Sequence, residues 1–165
     1  MAIFFNSQAK EYNWLSCFSP HPIVDLKKAI WPTAEHAFQA QKTKDRGWRT
    51  AIRRAEHPAA AKRLGGNCPL RKDWEAVKMD MMYRIQKEKF AQSTELRNLL
   101  IATGDEELVH SAPWDRFWGN GPDGWGKNHL GLILMRVRKE IIKEIADDVY
   151  KKLEEAREER EENRY

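Results

Sequence analysis

The most regular pattern in the sequence lies near its C-terminal end. Apolar residues return every three or four positions, at Leu130, Leu134, Val137, Ile141, Ile145 and Val149. This spacing places them on one face of an α-helix, and we expect that face to be buried against the rest of the chain. Beyond Tyr150 the apolar face continues only at Leu153. We therefore expect a domain over residues 1–150, followed by a charged, solvated helical extension over 151–165.

Most of the remaining chain also favours helices. Apolar spacing and capping residues predict helices near 33–45, 47–55, 57–66, 73–90 and 93–104. Thr33 is the expected N-cap of the first, and Gly65 and Gly66 are expected to end the third. Two short extended segments are predicted around a turn between Tyr12 and Ile30. The sequence thus predicts a compact single domain that is mainly α-helical, with a small β element.

Length and composition are those of one globular domain. The chain has 165 residues, of which 41% are hydrophobic, and no run of eighteen apolar residues. That is enough for one buried core and excludes a membrane-spanning helix. The N-terminal segment lacks the basic and apolar regions of a secretory signal, and Cys17 and Cys68 form no metal or redox motif. We expect a cytoplasmic protein with two free thiols and no membrane partner.

Charge is unevenly distributed along the chain. The first 135 residues contain 20 basic and 15 acidic residues, whereas residues 136–165 contain 9 basic and 10 acidic ones. A body with a net charge of +5 favours an anionic partner, such as a phosphate ester, a nucleotide or a nucleic acid. The same excess is also ordinary for a soluble surface, so charge alone does not decide between these interpretations.

The segment SAPWDRFWGNGPDGWGKNHLG, residues 111–131, combines three tryptophans with five glycines. Glycine lets backbone N–H groups approach phosphate or sugar oxygens, and tryptophan offers a flat surface on which a heterocycle can stack. Asp115, Asn120 and Asn128 add polar side chains to this loop. The alternative is a structural loop that its tryptophans anchor to the core, and the segment by itself does not exclude that.

A second group of polar residues falls on one face of the helix that starts near Thr33. Glu35, Phe38, Gln39 and Lys42 are separated by three or four positions, so they share a stripe along the helix. A carboxylate, an amide and an amine beside a phenylalanine suggest a ligand-binding surface. The structural alternative is that Glu35 only stabilises the helix N-terminus and Lys42 points to water.

The sequence offers no sign of a metal or cofactor site. Its five histidines form no pair at metal-ligand spacing and have no neighbouring cysteine. The two consecutive glycines at 65–66 lack the lysine and serine of a phosphate-binding loop, and no dinucleotide fingerprint follows a strand. We therefore expect neither a metal nor a cofactor.

Taken together, four motifs resemble the NADAR, or YbiA-like, family. In chain order they are LSCFSPHPI (15–23), WPTAEHAFQAQK (31–42), KFAQSTELRNLLIATGDEELV (89–109) and DRFWGNGPDGWGKNHLGLILMRVR (115–138). The resemblance covers about residues 10–146. It implies a mainly helical single domain and an N-glycosidase activity. Members of the family release ribose phosphate from early phosphoribosylamino intermediates of riboflavin synthesis, or remove ADP-ribose from guanine bases.

The resemblance also assigns site residues. Glu35 and Lys42 match the glutamate and lysine of the second motif, and Asp115 matches the aspartate that opens the fourth. These three are the expected catalytic residues. The expected substrate-binding residues are Trp74, Trp118, Asn120, Gly119, Gly121, Phe38 and Gln39. Cys17 and Ala37 depart from the family pattern, where an asparagine and an aromatic residue are usual, and both are expected to line or flank the pocket.

The expected substrate is a phosphoribosyl or ADP-ribosyl compound. A nucleic acid is an expected partner only where it carries ADP-ribosylated guanine as the substrate. Cleavage of an N-glycosidic bond develops positive charge on the sugar, which a nearby carboxylate stabilises. Either Glu35 or Asp115 fits that role, while the other activates water or protonates the base. Lys42 is instead suited to form an imine with the sugar. A nucleotide-binding or nucleic-acid-binding module without turnover is the alternative function.

Overall fold

The computed structural model describes residues 1–164 and confirms the mainly helical fold. The six α-helices are α1 (Ala34–Gln41), α2 (Arg46–Arg53), α3 (Pro58–Asn67), α4 (Trp74–Gln92), α5 (Thr94–Ala102) and α6 (His129–Glu162). A short 3-10 helix covers Asn13–Leu15. None of the helices in this range is both long enough and apolar enough to cross a membrane.

Helix α1 lies at the centre of the helical layer and packs against α2, α3 and α4. Thr33 caps it as predicted: its hydroxyl oxygen accepts a hydrogen bond from the His36 backbone N–H at 3.3 Å. Every residue from Ala34 to Ala40 is buried. A helix that is buried all round must place its polar side chains against other protein groups or a cavity, because water cannot reach them.

The β structure consists of two separate two-stranded sheets. Strands β2 (Ile23–Val24) and β3 (Ile30–Trp31) pair in antiparallel fashion, which confirms the extended segments predicted around a turn. Strands β1 (Ala2–Phe5) and β4 (Glu107–His110) pair in parallel, from Ala2 opposite Glu107 to Phe5 opposite His110. The second sheet was not predicted, because its strands are short and lie about a hundred residues apart.

Two expectations about helix ends were wrong. Helix α3 continues through Gly65 and Gly66 to Asn67, so these glycines do not terminate it. Gly65 is buried in the helix interior, where it packs against a side chain of α1. In α6 the buried face extends from Leu130 only to Ile141, whereas Ile145 and Val149 are about half exposed, at 43% and 50%. The helix projects beyond the body before its apolar pattern ends.

Removal of the tail is expected to leave the fold intact. A chain that ends at Lys151 should still unfold cooperatively, since every side chain from Ile142 to Arg164 is exposed and little apolar contact is lost. Thermal unfolding followed by circular dichroism, compared with the full chain, measures this. Loss of a cooperative transition would show that the extension belongs to the folding unit.

Candidate active site

A cavity of about 350 Å³ lies between helices α1, α3 and α4 and the loop over residues 111–128. Most of its wall is aromatic or apolar, with charged groups at defined places. The lining residues that matter for chemistry are Cys17, Glu35, Phe38, Gln39, Lys42, Lys62, Trp74, Lys78, His110, Asp115, Phe117 and Trp118. The cavity thus brings together all three predicted catalytic residues.

Helix α1 contributes the polar stripe that the sequence suggested. Glu35, Phe38, Gln39 and Lys42 all line the cavity. Glu35 is 7% exposed, and one of its carboxylate oxygens accepts a hydrogen bond of 2.6 Å from the Gln39 amide. Its backbone N–H donates to the carbonyl of Cys17 at 3.0 Å. Glu35 therefore does more than stabilise the helix N-terminus, where Thr33 already provides the cap.

Burial changes the acidity of the Glu35 carboxyl. Desolvation raises the pKa of Glu35 above its ordinary value, and this effect outweighs the opposing hydrogen bond from Gln39 and the positive charges of Lys62 and Lys42. The Asp115 carboxylate adds to the upward shift. A carboxyl group with a raised pKa keeps its proton to higher pH, which is the property of a general acid.

Three lysines from three different helices face the same cavity. Lys42 follows α1, Lys62 lies on α3 and Lys78 on α4. Burial lowers the pKa of Lys42, although the charge of Glu35 opposes that shift. Lys78 pairs with Glu75 at 2.5 Å, and its ammonium nitrogen lies 4.0 Å from the centre of the Phe117 ring. Three ammonium groups around one cavity make this part of the site suitable for an anion such as phosphate.

Asp115 lies in the loop that opens the fourth sequence motif. One of its carboxylate oxygens, Oδ1, accepts hydrogen bonds from the backbone N–H groups of Phe117 at 2.9 Å and Trp118 at 2.8 Å. These bonds fix the carboxylate on the cavity wall and occupy Oδ1, so Oδ2 is the oxygen left to face a ligand. The loop fold thus orients Asp115 through its own backbone.

Aromatic rings form the remaining wall. Phe38 contacts Trp74 with ring centres 5.3 Å apart, and it meets the edge of Trp118 at 5.5 Å. The ring of Phe117 also packs against Trp118, with ring centres 4.8 Å apart and nearly perpendicular planes. Trp74 is buried and Trp118 is partly buried, so both present flat, fixed surfaces to the cavity.

Three of the predicted substrate-binding residues do not line the cavity. The amide oxygen of Asn120 accepts a hydrogen bond from the Ala112 backbone N–H at 3.1 Å, which closes the loop on itself. A Cβ atom on Gly119 would lie 2.7 Å from the Ala112 side chain, and Gly121 has a φ of +68°. These residues shape the loop that presents Asp115 and Trp118. The two glycines are required by the backbone of this loop: Gly119 packs closely against Ala112, and Gly121 has a positive φ.

Residues 16–18 form another part of the wall, and a buried lysine holds the segment that contains them. Lys89 donates hydrogen bonds to the carbonyls of Trp14 at 2.7 Å and Ser16 at 2.9 Å, and to the Ser19 hydroxyl at 2.8 Å. Burial lowers the pKa of Lys89 to about 8. The sequence does not reveal these contacts, because they join residues 70 to 75 positions apart.

Of the two departures from the family pattern, one lies on the cavity wall. Cys17 lines the cavity, and its sulfur accepts a hydrogen bond from the Gln86 amide at 3.2 Å. Burial raises the pKa of the Cys17 thiol to about 12, so it stays protonated. Ala37 is buried in the core and is not a lining residue.

Sequence reasoning missed Lys62, Lys78 and His110 as lining residues. Nothing in the local sequence of α3 or α4 distinguishes Lys62 and Lys78 from ordinary surface lysines, and only the packing of these helices against α1 brings them to the cavity. His110 ends strand β4, which was itself not predicted. Within residues 1–164, no three histidine, cysteine, aspartate or glutamate side chains are grouped so that they could hold a metal ion.

The role of Trp118 is testable by truncation of its side chain. Replacement by alanine is expected to raise KM more than it lowers kcat, since a lost stacking surface costs about 1–3 kcal/mol per base. Trp125→Ala is a matched control, because Trp125 lies in the same loop but is 86% exposed and does not line the cavity. Steady-state kinetics on both variants, with thermal unfolding alongside, measures the effect. Parent-like kinetics in Trp118→Ala would make this ring a packing element only.

Comparison with known proteins agrees with this geometry. The model of the NADAR domain matches residues 3–142. The chain is 46% identical to N-glycosidase YbiA of Shigella boydii over 142 residues. This alignment covers 84% of this chain and 88% of that protein. It is 40% identical to the riboflavin biosynthesis protein VVA0006 of Vibrio vulnificus, over 84% of this chain and 38% of that longer protein. The NMR structure of E. coli YbiA superposes with a TM-score of 0.80 at 42% identity, covering 88% of this chain and 87% of that one.

The family match spans most of the chain, and the solved structure shares its fold. The identity to N-glycosidase YbiA extends over most of both chains. The chain therefore belongs to the NADAR domain family and is a hydrolase of N-glycosidic bonds.

Proposed function

We propose that this enzyme hydrolyses the N-glycosidic bond between a phosphorylated ribose, or ADP-ribose, and an aminopyrimidine or guanine-type base. The name of the Vibrio vulnificus relative, a riboflavin biosynthesis protein, supports a phosphoribosylaminopyrimidine as substrate. The cavity volume of about 350 Å³ is near the lower end for ligand pockets. We therefore place a phosphoribosyl substrate ahead of the larger ADP-ribosyl one.

One observation supports this assignment most strongly: two carboxyl groups, aromatic walls and three lysines occur together in one cavity. The lysines suit the phosphate group of the substrate, and the rings of Trp74 and Trp118 suit its base. The carboxyl groups of Glu35 and Asp115 line the same cavity, and we assign them to the sugar that joins the phosphate to the base. Simple binding of an anion would gain nothing from two acidic groups beside it.

The environments of the two carboxyl groups divide the chemical roles between them. Glu35 is buried and has a raised pKa, so it acts as the acid that protonates the departing base. Asp115, fixed by two backbone N–H groups, faces the positive charge that develops on the sugar. The bond between carbon and nitrogen breaks, the base leaves with a proton, and the hydroxyl group of a water molecule bonds to the anomeric carbon. The second proton of that water returns to Glu35.

Lys42 supports an alternative route through a covalent intermediate. Burial lowers its pKa, which favours the neutral amine that attacks a carbonyl. In that route the amine bonds to the anomeric carbon as the bond to the base breaks. The bond to the ring oxygen then opens, this oxygen takes up the remaining proton of the amine, and water hydrolyses the resulting sugar imine. Borohydride added during turnover reduces an imine, and mass spectrometry of the digested protein would locate the sugar on Lys42. An unmodified Lys42 favours direct attack by water.

A product screen by mass spectrometry tests the assignment. Phosphoribosylaminopyrimidines and ADP-ribosylated guanine, the latter free and within single-stranded DNA, are incubated with the enzyme in parallel. Release of ribose phosphate from the first group is the expected result, and release of ADP-ribose would instead identify the second substrate class. If substrates of both kinds bind but stay intact, a binding module without turnover is the better description.

A further inference from the structure

His110 stands out because the catalytic scheme above does not use it, although its ring lines the cavity. It is the last residue of β4, next to the loop that holds Asp115. Its backbone N–H donates to the Asn128 side chain at 2.9 Å, and its carbonyl accepts from the Asn120 backbone N–H at 3.0 Å. The ring stacks on Phe5, with centres 5.3 Å apart and planes 23° from parallel. The position of the imidazole is therefore fixed from three sides.

The ring nitrogen Nδ1 of His110 is buried and has no hydrogen-bond partner within residues 1–164. Buried polar atoms are nearly always paired, because burial without a partner forfeits the hydrogen bond that water would provide. Since the ring borders the cavity, a bound molecule can supply the missing partner. A fixed, unpaired polar atom beside two candidate catalytic carboxyl groups is the feature expected of a substrate contact.

The surroundings of His110 favour its neutral form. Burial lowers its pKa, and Lys62 on α3 acts in the same direction. The Asp115 carboxylate and the backbone of Trp118 oppose this shift. Glu35 on α1, Lys42 just after α1 and Lys78 on α4 are the other charged groups that line the same cavity. A neutral imidazole has one N–H donor and one lone pair.

We propose that His110 carries its proton on Nε2, and that its Nδ1 lone pair accepts a hydrogen bond from an O–H group in the cavity. That O–H group belongs either to the sugar of the substrate or to the attacking water. This inference rests on the N-glycosidase function proposed above. Contact with a sugar hydroxyl makes His110 a residue that selects ribose, and contact with water makes it the group that orients the nucleophile.

Two variants distinguish the contribution of the Nδ1 acceptor from that of the aromatic ring. His110→Phe keeps an aromatic ring on Phe5 but removes both nitrogens, and His110→Asn restores an acceptor near the position of Nδ1. We expect kcat/KM of His110→Phe to fall by about 10- to 100-fold and His110→Asn to recover part of it. In the parent, kcat/KM should also fall as the pH drops below the pKa of His110, because a protonated ring cannot accept. This acidic limb should be absent from His110→Asn.

A matched histidine outside the cavity provides the control. His57 is the N-cap of α3, where its ring accepts from the Ala60 backbone N–H at 3.1 Å, and asparagine is an equally good cap. His57→Asn should keep the acidic limb of the parent. Circular dichroism and thermal unfolding of each variant ensure that only folded proteins are compared.

A 2-deoxyribosyl substrate and a 3-deoxyribosyl substrate identify the O–H donor. If one sugar hydroxyl is the donor, the deoxy substrate that lacks it should be cleaved equally by the parent and by His110→Phe. If water is the donor, His110→Phe loses kcat to the same extent with all substrates. Parent-like kinetics and an unchanged pH profile in folded His110→Phe would overturn the proposal.

A direct binding measurement tests the His110 contact independently of the proposed function. If the parent cleaves no N-glycoside, the proposed function fails, and calorimetric titration with ribose 5-phosphate then examines the contact alone. Weaker binding by His110→Phe than by His110→Asn supports the contact with a sugar hydroxyl. Equal binding by the parent and both variants rejects it.

Discussion

Replacement of Glu35 by glutamine is expected to lower kcat by about 10²-fold, equivalent to roughly 2.7 kcal/mol of transition-state stabilisation, with little change in substrate binding. The amide keeps the shape of the side chain and can still accept the 2.6 Å hydrogen bond from Gln39. It cannot deliver a proton to the base. Steady-state kinetics and thermal unfolding, measured side by side, separate a chemical effect from a structural one.

Asp115→Asn belongs in the same series. Its amide oxygen can still accept from the backbone N–H groups of Phe117 and Trp118, so the loop should keep its shape. A loss in kcat of similar size is expected, because the negative charge facing the sugar is gone. If both amide variants retain full activity on an identified substrate, neither carboxyl group takes part in the chemistry.

Gly65→Ala is expected to destabilise the fold by about 1–3 kcal/mol and to reduce activity, although it changes a residue outside the cavity lining. A Cβ atom at this position would lie 2.1 Å from the Gln39 side-chain oxygen and 2.9 Å from two of its carbons. Gln39 is 3% exposed, and the open space beside it is the cavity that it lines. Either its amide turns away from Glu35 or α3 shifts away from α1. Chemical denaturation and steady-state kinetics measure both consequences.

Gly66→Ala is the matched control in the same helix. Apart from its two chain neighbours and the backbone of its own helix, no atom of residues 1–164 lies within 4 Å of a Cβ at this position. Alanine there should stabilise the protein by roughly 0.5–1 kcal/mol, as usual for a glycine in a helix interior. The two neighbouring substitutions should therefore have opposite signs. A stable, fully active Gly65→Ala would mean that Gln39 adjusts freely and does not fix Glu35.

The sequence predicts those parts of the fold that depend on local spacing and capping. The cap at Thr33, the helical face from Leu130 to Ile141 and the β2–β3 turn follow from neighbouring residues. The β1–β4 pair could not be predicted in this way, because nothing near Ala2–Phe5 specifies its partner. The interior of α3 was misjudged since a glycine pair usually signals a helix end, whereas here contact with α1 requires the absence of a side chain at Gly65.

The candidate site shows the same division. The stripe from Glu35 to Lys42 is visible in the sequence, because one helix displays it. Lys62, Lys78 and His110 come from three other elements, and only tertiary packing brings them to the cavity. Asn120 is the converse case. Its polar side chain suggests ligand contact, but it hydrogen-bonds within its own loop. Residue type shows that a side chain can bind a ligand, and packing decides whether it faces one.

The parallel pairing of β1 with β4 has a consequence for how the protein is made. Phe5, on which the His110 ring rests, is separated from it by about a hundred residues of chain. Pairing of segments so far apart costs loop-closure entropy before any contact repays it, and such contacts slow folding. During synthesis, β1 leaves the ribosome before β4 and must remain unpaired until β4 and the loop that follows it have emerged. The helices can form as they appear, whereas the part of the cavity wall that His110 and this loop provide cannot be completed before these later segments emerge.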